Sequence, residues 1–256
     1  MKAGNITAVY TIWLREMKKF VRARSRIVGN IAMPFFFLAF LGTGITSSLS
    51  FGGGLAGLSY LDFMAPGVIA MTLLFSSMFS GISVLWDKEF GFLKEMLVAP
   101  VSRISIVFGK VMAGMTTGLL QAFIILAIAL LLGVNIVSAA GVLVSVIFIL
   151  LISMSFVSLG IAFASRMRDM QGFQIIMNFL IMPLWLLSGA FFPVQGLPAW
   201  LSVLSYMNPL TYGVDGLRAN IIGVGGIPVI ISVSVLAAFS VAMISLGAWL
   251  FSKTEV

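Results

Sequence analysis

The feature that most constrains this chain is a series of long apolar segments that carry very little charge. Of its 256 residues, 61% are hydrophobic and 9% are charged, whereas a soluble domain is about half apolar and about one quarter charged. Runs of about 18 or more apolar residues are typical of membrane-crossing helices. The sequence therefore predicts an all-α integral membrane protein with six transmembrane helices. They are expected at residues 27–47, 62–85, 104–133, 139–164, 172–192 and 227–251.

The cations are distributed unevenly between the two sides of this arrangement. Fourteen of the fifteen Lys and Arg residues fall on the side that holds both termini, and only Arg218 falls on the other side. Because cytoplasmic segments are enriched in Lys and Arg, we expect a multi-pass protein of the cell membrane with both termini in the cytoplasm. The net charge of +7 is then a consequence of topology, and no nucleic-acid partner is expected.

Residues 1–26 are predicted to form an amphipathic helix that precedes the transmembrane domain at residues 27–253. Its apolar face contains Tyr10, Trp13, Leu14, Met17, Phe20 and Val21, and its basic face contains Arg15, Lys18, Lys19, Arg22 and Arg26. A basic face opposite an aromatic-rich face favours a helix that lies in the lipid headgroup region. The alternative is a charged flank that only orients the chain.

The segment WDKEFGFLKEMLVAPVSR, residues 86–103, gathers many charges between the second and third predicted spans. On a helical wheel one arc carries Asp87, Lys88, Gly91, Lys94 and Glu95, and the other carries Phe92, Leu93, Met96 and Leu97. Glu89 falls on the apolar side, in the first turn, where a carboxylate favours the helix dipole. Pro100 disfavours helix at the residue before it. We therefore expect one short cytoplasmic helix from Asp87 to Val98, whose mixed charges suit a protein partner. A merely solvated connecting helix is the alternative.

The fifth predicted span carries amides in a helical pattern. Gln171, Gln174 and Asn178 recur at i, i+3 and i+7, and Trp185 continues that side of the wheel. Such amides either hydrogen-bond to neighbouring helices or line a translocation path or a subunit seam. In the third span, the pair Gly114 and Gly118 predicts close helix packing.

A proline-containing stretch precedes the sixth span on the opposite side of the membrane. Pro193, Pro198 and Pro209 break helices, so we expect short re-entrant helices that dip partway into the outer leaflet. Asp215 and Arg218 stand at i, i+3 and could form an ion pair that pins these helices. A gate or a lipid-headgroup contact is the alternative, because intramembrane charge is often functional.

Several functional classes are disfavoured by the residues present. The chain has no Cys and no His, which excludes disulfides, thiol chemistry and imidazole-based metal sites. Gly109-Lys110 lacks the upstream glycine and the following Ser or Thr of a phosphate-binding P-loop. The few carboxylates are not arranged for general acid–base catalysis. We predict neither an enzyme nor a cofactor or metal site in this chain.

Two motifs resemble those of a known family. The pattern Glu89-x-Gly91-x-x-x-Glu95, followed by Pro100, Arg103 and Gly109-Lys110, resembles the cytoplasmic signature of type-2 ABC exporter permeases. The stretches SGAFFPVQGLPAW and MNPLTYGVDGLR, the second of which contains Asn208, resemble the outer segment of that family, and most closely its daunorubicin and multidrug branch. Phe92 stands where the family often has Thr, which argues against a hydroxyl role at that position.

The resemblance implies a function and its partners. It implies the permease subunit of an ATP-driven exporter, moving a hydrophobic or amphipathic cargo and pairing with a second copy of itself. Two separate ATPase subunits would hold ATP and Mg²⁺, and the segment from Asp87 to Arg103 would couple them to the membrane helices. Export of a polysaccharide or lipo-oligosaccharide, and an ATP-independent secondary transporter, are the alternatives.

Overall fold

The computed structural model describes residues 3–48, 58–167 and 169–253. Within these ranges every regular element is a helix, which confirms the all-α prediction. The side chains of Arg26 and Leu97, which the sequence assigns to a basic face and an apolar arc, lie outside the described residues.

The N-terminal helix is separate from the first apolar segment. α1 (Ala3–Arg22) ends four residues before the predicted boundary, because Ala23 leaves the helical conformation at φ −87° and ψ 61°. α2 (Arg24–Phe36), a π-helical segment (Phe37–Gly42) and α3 (Thr43–Ser48) follow. Together they supply the apolar stretch Ile27–Thr46, which is long enough to cross a membrane.

The second apolar segment forms the centre of the molecule. It consists of α4 (Tyr60–Ser80) and α5 (Ile82–Glu89), which are joined at Gly81. Within its most apolar stretch 67% of the residues are buried, against 17% in the first and last spanning segments. α4 is covered by α7, α8, α9 and α11, so this segment reads as apolar on every side.

Glycines allow two of the long helices to approach closely. α6 (Phe92–Val98) precedes α7 (Arg103–Leu131) and α8 (Ala139–Arg166). A Cβ atom on Gly114 of α7 would lie 2.5 Å from a methyl group of Val157, and one on Gly118 would lie 2.5 Å from the Ser153 hydroxyl. The predicted close packing in the third span is therefore confirmed, and its partner is α8.

The last part of the chain contains α9 (Met170–Leu186), a 3₁₀ turn (Val194–Gly196), α10 (Ala199–Met207), α11 (Pro209–Ile221) and α12 (Val229–Ser252). Five helical segments in the described residues are long and apolar enough to cross a membrane. α9, with 17 residues, is shorter than the roughly 20 residues that a crossing needs. It ends six residues before the predicted boundary, and Gly189, at φ +76°, lies in the turn that follows.

The stretch before α12 forms short helices, as the prolines predict. α11 is inserted between α4, α8 and α12, whereas α10 leaves large apolar side chains uncovered, including Trp200 and Met207. The final span then runs from Val229 to Ser252, within two residues of its predicted bounds.

Candidate functional site

The charged segment between the second and third spans folds as two helices. α5 ends at Glu89, and α6 begins at Phe92 after a turn in which Gly91 adopts φ +77°. A side chain is disfavoured at that backbone conformation. The prediction of one continuous helix from Asp87 to Val98 is therefore wrong. Glu89 lies in the last turn of α5, so the predicted favourable interaction with a helix N-terminus is also wrong.

Asp87 lies inside a buried ion cluster that the sequence does not reveal. Its carboxylate accepts hydrogen bonds from Lys110 Nζ at 2.6 Å, from an Arg15 guanidinium nitrogen at 2.7 Å and from Lys19 Nζ at 3.4 Å. Glu16 supplies a second carboxylate, 3.3 Å from Lys19 and 3.5 Å from Lys110. Asp87 is 1% exposed and Lys110 is 3% exposed. Three cations and two carboxylates therefore pair here, which leaves one positive charge in excess.

The cluster joins α1 to α5 and α7. The sequence predicts Arg15 and Lys19 on a basic face in the lipid headgroup region, but their charged ends turn toward Asp87. Two further contacts hold α1 on α7. The Trp13 indole donates a hydrogen bond to Thr116 Oγ1 at 3.0 Å. Ile12 packs closely on Gly109, because a Cβ atom added to Gly109 would lie only 2.8 Å from the Ile12 Cβ. α1 is thus amphipathic as predicted, but one side of it packs on protein.

Lys88 caps the C-terminal end of α8. Its ammonium group lies 3.1 Å from the Ala164 carbonyl, 2.8 Å from Ser165 and 3.3 Å from Met167. The last carbonyls of a helix lack partners within it and carry a partial negative charge. Lys88 therefore fixes α5 to α8, and its ammonium group binds inside the chain.

Other charges of this segment remain on the surface. We call residues 89–100 the exposed tip. Its side chains Glu89, Lys94, Glu95 and Pro100 are exposed, and those of Phe90 and Val98 are 69% and 86% exposed. Leu93 is fully buried and anchors α6. After the tip, the Arg103 guanidinium donates a hydrogen bond to the Ser252 carbonyl at the end of α12.

The amides of α9 are exposed. Gln171, Gln174 and Asn178 all face outward, and their side chains form no hydrogen bond with any other described residue. Trp185 is 1% exposed because the rings of Phe37, Phe75 and Phe191 surround it, with centroids 4.5–6.4 Å away. The expectation that Trp185 continues the amide face is therefore wrong, and none of these three amides forms a hydrogen bond with a described neighbouring helix.

The outer charges do not pair with each other. Asp215 accepts hydrogen bonds from the backbone N–H groups of Gly226 and Ile227, at 2.8 and 2.9 Å. Arg218 donates to the carbonyls of Phe63 and Gly189, at 3.3 and 2.8 Å. Neither forms an ion pair with the other within 4.0 Å. The predicted Asp215–Arg218 ion pair is wrong, although each residue does fix the outer segment.

Arg218 is bound in a site that suits its planar cation. It is 6% exposed, and its guanidinium carbon lies 3.8 Å from the centre of the Phe63 ring. Arginine stacks on aromatic rings more readily than lysine does. The contacts link α11 to α4 and to the turn after α9.

Asn208 and the prolines organise the ends of the outer helices. The Asn208 side chain accepts from the Leu210 N–H at 3.0 Å and donates to the Leu184 carbonyl at 2.6 Å, so it caps α11 and connects it to α9. Pro209 is the first residue of α11, where a missing N–H costs nothing. Pro193 and Pro198 directly precede the 3₁₀ turn and α10.

A cavity of about 430 Å³ lies beside the ion cluster, between α1, α2, the α4–α5 segment and α7. Lys110 lines one end, and Gln121 lies three helical turns further along α7. Ser76, Ser80 and Ser83 face it from the α4–α5 segment. The described residues contain no group of three or more acidic, Cys or His side chains that could hold a metal ion.

Comparison with known proteins assigns the chain to a family. The family model described as "ABC-2 type transporter" matches residues 7–222. The chain belongs to the ABC-2 type transporter family. Among its relatives is the inner membrane transport permease YadH of Escherichia coli strain K12, which is 30% identical over 241 residues covering 92% of this chain and 91% of YadH.

Two further relatives match a shorter region of this ABC-2 type transporter. ycf38 of Cyanophora paradoxa, named as a transport permease, is 31% identical over 161 residues, and the match spans 56% of its length. The Escherichia coli protein named "Probable multidrug ABC transporter permease YbhR" is 32% identical over 160 residues, or 43% of its length. The resemblance to type-2 ABC permeases is thereby confirmed, and the chain is a multi-pass membrane transport protein.

Sequence reasoning missed the ion cluster of this ABC-2 type transporter, although two signals were present. Lys110 is a lone charge within an otherwise apolar span, and such a charge needs a partner. Arg15 and Lys19 stand at i, i+4 with Glu16 between them. What the sequence does not supply is the approach of α1 to α7, which brings these charges together.

Proposed function

We propose that the chain is the permease subunit of an ATP-driven exporter that moves a hydrophobic or amphipathic cargo out of the cytoplasm or the inner leaflet. ATP and Mg²⁺ bind to a separate ABC ATPase, of which two copies serve two copies of this permease. The names of YadH and YbhR, both transport permeases, support the transport role. The few charges within the spans support an apolar or amphipathic cargo rather than a free ion.

The observation that carries the proposal is the exposed tip on its anchored base. Phe90 and Val98 are apolar and largely uncovered, and Glu89, Lys94 and Glu95 surround them with both signs of charge. A connection that is merely solvated gains nothing from exposed aromatic rings, whereas an element that docks on a protein uses such rings as contacts. The tip is the coupling element in this proposal. Asp87 and Lys88 act by positioning it, since both bind within the chain.

The anchoring makes the tip suitable for transmitting motion. The ion cluster connects its base to α1 and α7, Lys88 connects it to α8, and Arg103 connects the start of α7 to α12. A displacement of the tip by an ATPase would therefore move several long helices together rather than bend a loop.

The proposed topology has six crossings, with α9 as the fifth and both termini in the cytoplasm. α9 extends about 25 Å at 1.5 Å per residue, so its crossing is completed by the turn that leads toward Pro193. The exposed amides Gln171, Gln174 and Asn178 then face a second copy of the chain or the cargo path. α10 and α11 close the outer end of that path.

Co-purification with a candidate ABC ATPase, co-expressed with this chain, tests the proposal. We expect Glu95→Ala, Lys94→Ala and Phe90→Ala to reduce ATPase recovery at least fivefold while folding and membrane insertion are retained. Lys253→Ala is the matched control for Lys94, because Lys253 is an exposed lysine at the end of α12 and should leave recovery unchanged. Normal recovery with all three tip variants would refute the coupling role.

A further inference from the structure

The cavity beside the ion cluster has polar side chains on two opposing helices. Ser76, Ser80 and Ser83 recur at i, i+4 and i+7 on the α4–α5 segment, and Thr117 and Gln121 stand at i, i+4 on α7. Between them the wall is apolar, with Phe20 of α1 and Trp86 of α5 among its members. A cavity with apolar walls and a few placed polar groups is the usual form of a small-molecule site.

Gln121 gives independent evidence for a missing partner. It is 1% exposed, and its side-chain oxygen is buried without a hydrogen bond from any described residue. A buried polar atom without a partner is costly, so native structures rarely leave one unsatisfied. Gln121 lines the cavity, so a molecule that occupies the cavity and bears a hydroxyl group can satisfy the amide.

The opposite end of the cavity is positively charged. Three cations line it, namely Lys19, Arg22 and Lys110, against the single carboxylate of Glu16. Asp87, which does not line the cavity, forms ion pairs with Lys110 and Lys19. These three cations and two carboxylates together carry one positive charge in excess. This end therefore favours an anionic group. Lys110 and Gln121 are eleven residues apart on one helix, which places their backbones about 16 Å apart.

We propose that this cavity binds a drug-sized amphiphilic organic anion that carries hydroxyl groups. Its acidic group lies near Lys110 and Arg22, its apolar surface packs on Phe20 and Trp86, and a hydroxyl group reaches Gln121. A volume of about 430 Å³ is within the range of drug-sized ligands. That the bound molecule is the exported cargo rests on the proposed export function. Binding itself can be measured without an ATPase.

The test uses three steroid probes of one size on the purified full-length chain in nanodiscs, without any ATPase. Cholate has an acidic group and hydroxyls, 5β-cholanate lacks the hydroxyls, and cholate methyl ester lacks the charge. We expect cholate to bind about tenfold more tightly than either analogue, which is the discrimination expected from one satisfied buried hydrogen bond or one charge contact. Equal binding of the three probes would overturn the proposal.

Matched variants locate the site. Gln121→Leu should remove the preference for cholate over 5β-cholanate, whereas Gln195→Leu, an exposed glutamine outside the cavity lining, should retain it. Arg22→Gln should remove most of the preference for cholate over its methyl ester, whereas Arg24→Gln, outside the cavity lining, should not. If both members of either pair behave alike, cholate binds elsewhere and the proposal fails.

A variant that fills the cavity distinguishes loss of binding from loss of folding. Thr117→Phe places a ring in the cavity and should abolish cholate binding while the thermal unfolding midpoint stays within a few degrees of that of the parent chain. The binding of all three probes is also measured in nanodiscs made of phosphatidylglycerol. If this lipid displaced the three probes with equal potency, the cavity would hold membrane lipid, and the proposal would be overturned. ATP-dependent transport is measured separately, so its absence leaves the binding result standing.

Discussion

At the scale of single residues, Gly91 is required for its backbone conformation rather than for space. It adopts φ +77°, and a Cβ atom added there would meet nothing within 4 Å. The turn between α5 and α6 therefore depends on the freedom of glycine to adopt the left-handed region. The resemblance singles out this glycine, but the wheel places it within a helix, because periodicity alone does not indicate where a helix is interrupted.

Gly91→Ala should destabilise the chain by about 1 kcal/mol, because alanine is strained at positive φ. Gly29→Ala is the matched control, since Gly29 also has free space around its Cβ position but lies inside α2. It should be stabilising by about 0.5–1 kcal/mol. The free energy of unfolding in mixed micelles measures both. A stabilising Gly91→Ala would contradict the assigned turn.

The ion cluster predicts a large effect at Asp87. Asp87→Asn removes the buried carboxylate that binds Lys110, Arg15 and Lys19, so we expect a loss of about 3–5 kcal/mol. Asp169→Asn makes the same change at an exposed helix N-cap, where asparagine serves equally well, and should change stability by less than about 0.5 kcal/mol. Equal effects of the two substitutions on the unfolding free energy would show that the cluster is not formed.

Residue-level partners were the least predictable feature. Asp215 and Arg218 have the spacing of a helical ion pair, yet each binds backbone groups of another segment. Helical spacing shows that two side chains can meet, but it does not show whether backbone donors and carbonyls lie nearer. Here the turn at Gly226 and the carbonyl of Gly189 decide the pairing.

At the scale of elements, the helices themselves were largely predictable. Long apolar runs fixed the bounds of the third, fourth and sixth spans to within a few residues, since only a helix satisfies its backbone within a membrane. The faces of α9 were less predictable. An ideal wheel places Asn178 and Trp185 on one side, but different neighbours cover the two ends of the helix, so one residue is exposed and the other is buried.

The docking of α1 on α7 gives a prediction at this scale. Gly109→Leu should displace α1, because even a Cβ atom there would lie 2.8 Å from Ile12. Gly4→Leu adds the same side chain at a position with nothing within 4 Å and is the control. Limited proteolysis measures the outcome. We expect cleavage within α1 to become at least tenfold faster in the first variant only, and unchanged cleavage would contradict the packing.

At the scale of the whole molecule, the uneven distribution of cations predicts which side of the membrane the exposed tip and the outer segment face. The chain has no Cys, so single cysteines can be labelled without a background. In sealed right-side-out vesicles we expect an impermeant maleimide to label Gln195→Cys and to spare Lys94→Cys until the vesicles are opened. Both positions are exposed, so labelling of both in sealed vesicles would contradict the proposed topology.

We propose that a separate ATPase drives this membrane protein through its exposed tip. The most direct measurement is export by the permease and its ATPase, reconstituted in vesicles, with the parent chain compared to Glu95→Ala. We predict that export requires hydrolysable ATP and falls at least tenfold in the variant, while the ATPase still hydrolyses ATP. Export that continues without nucleotide, or that is unchanged by Glu95→Ala together with Phe90→Ala, would contradict the claim.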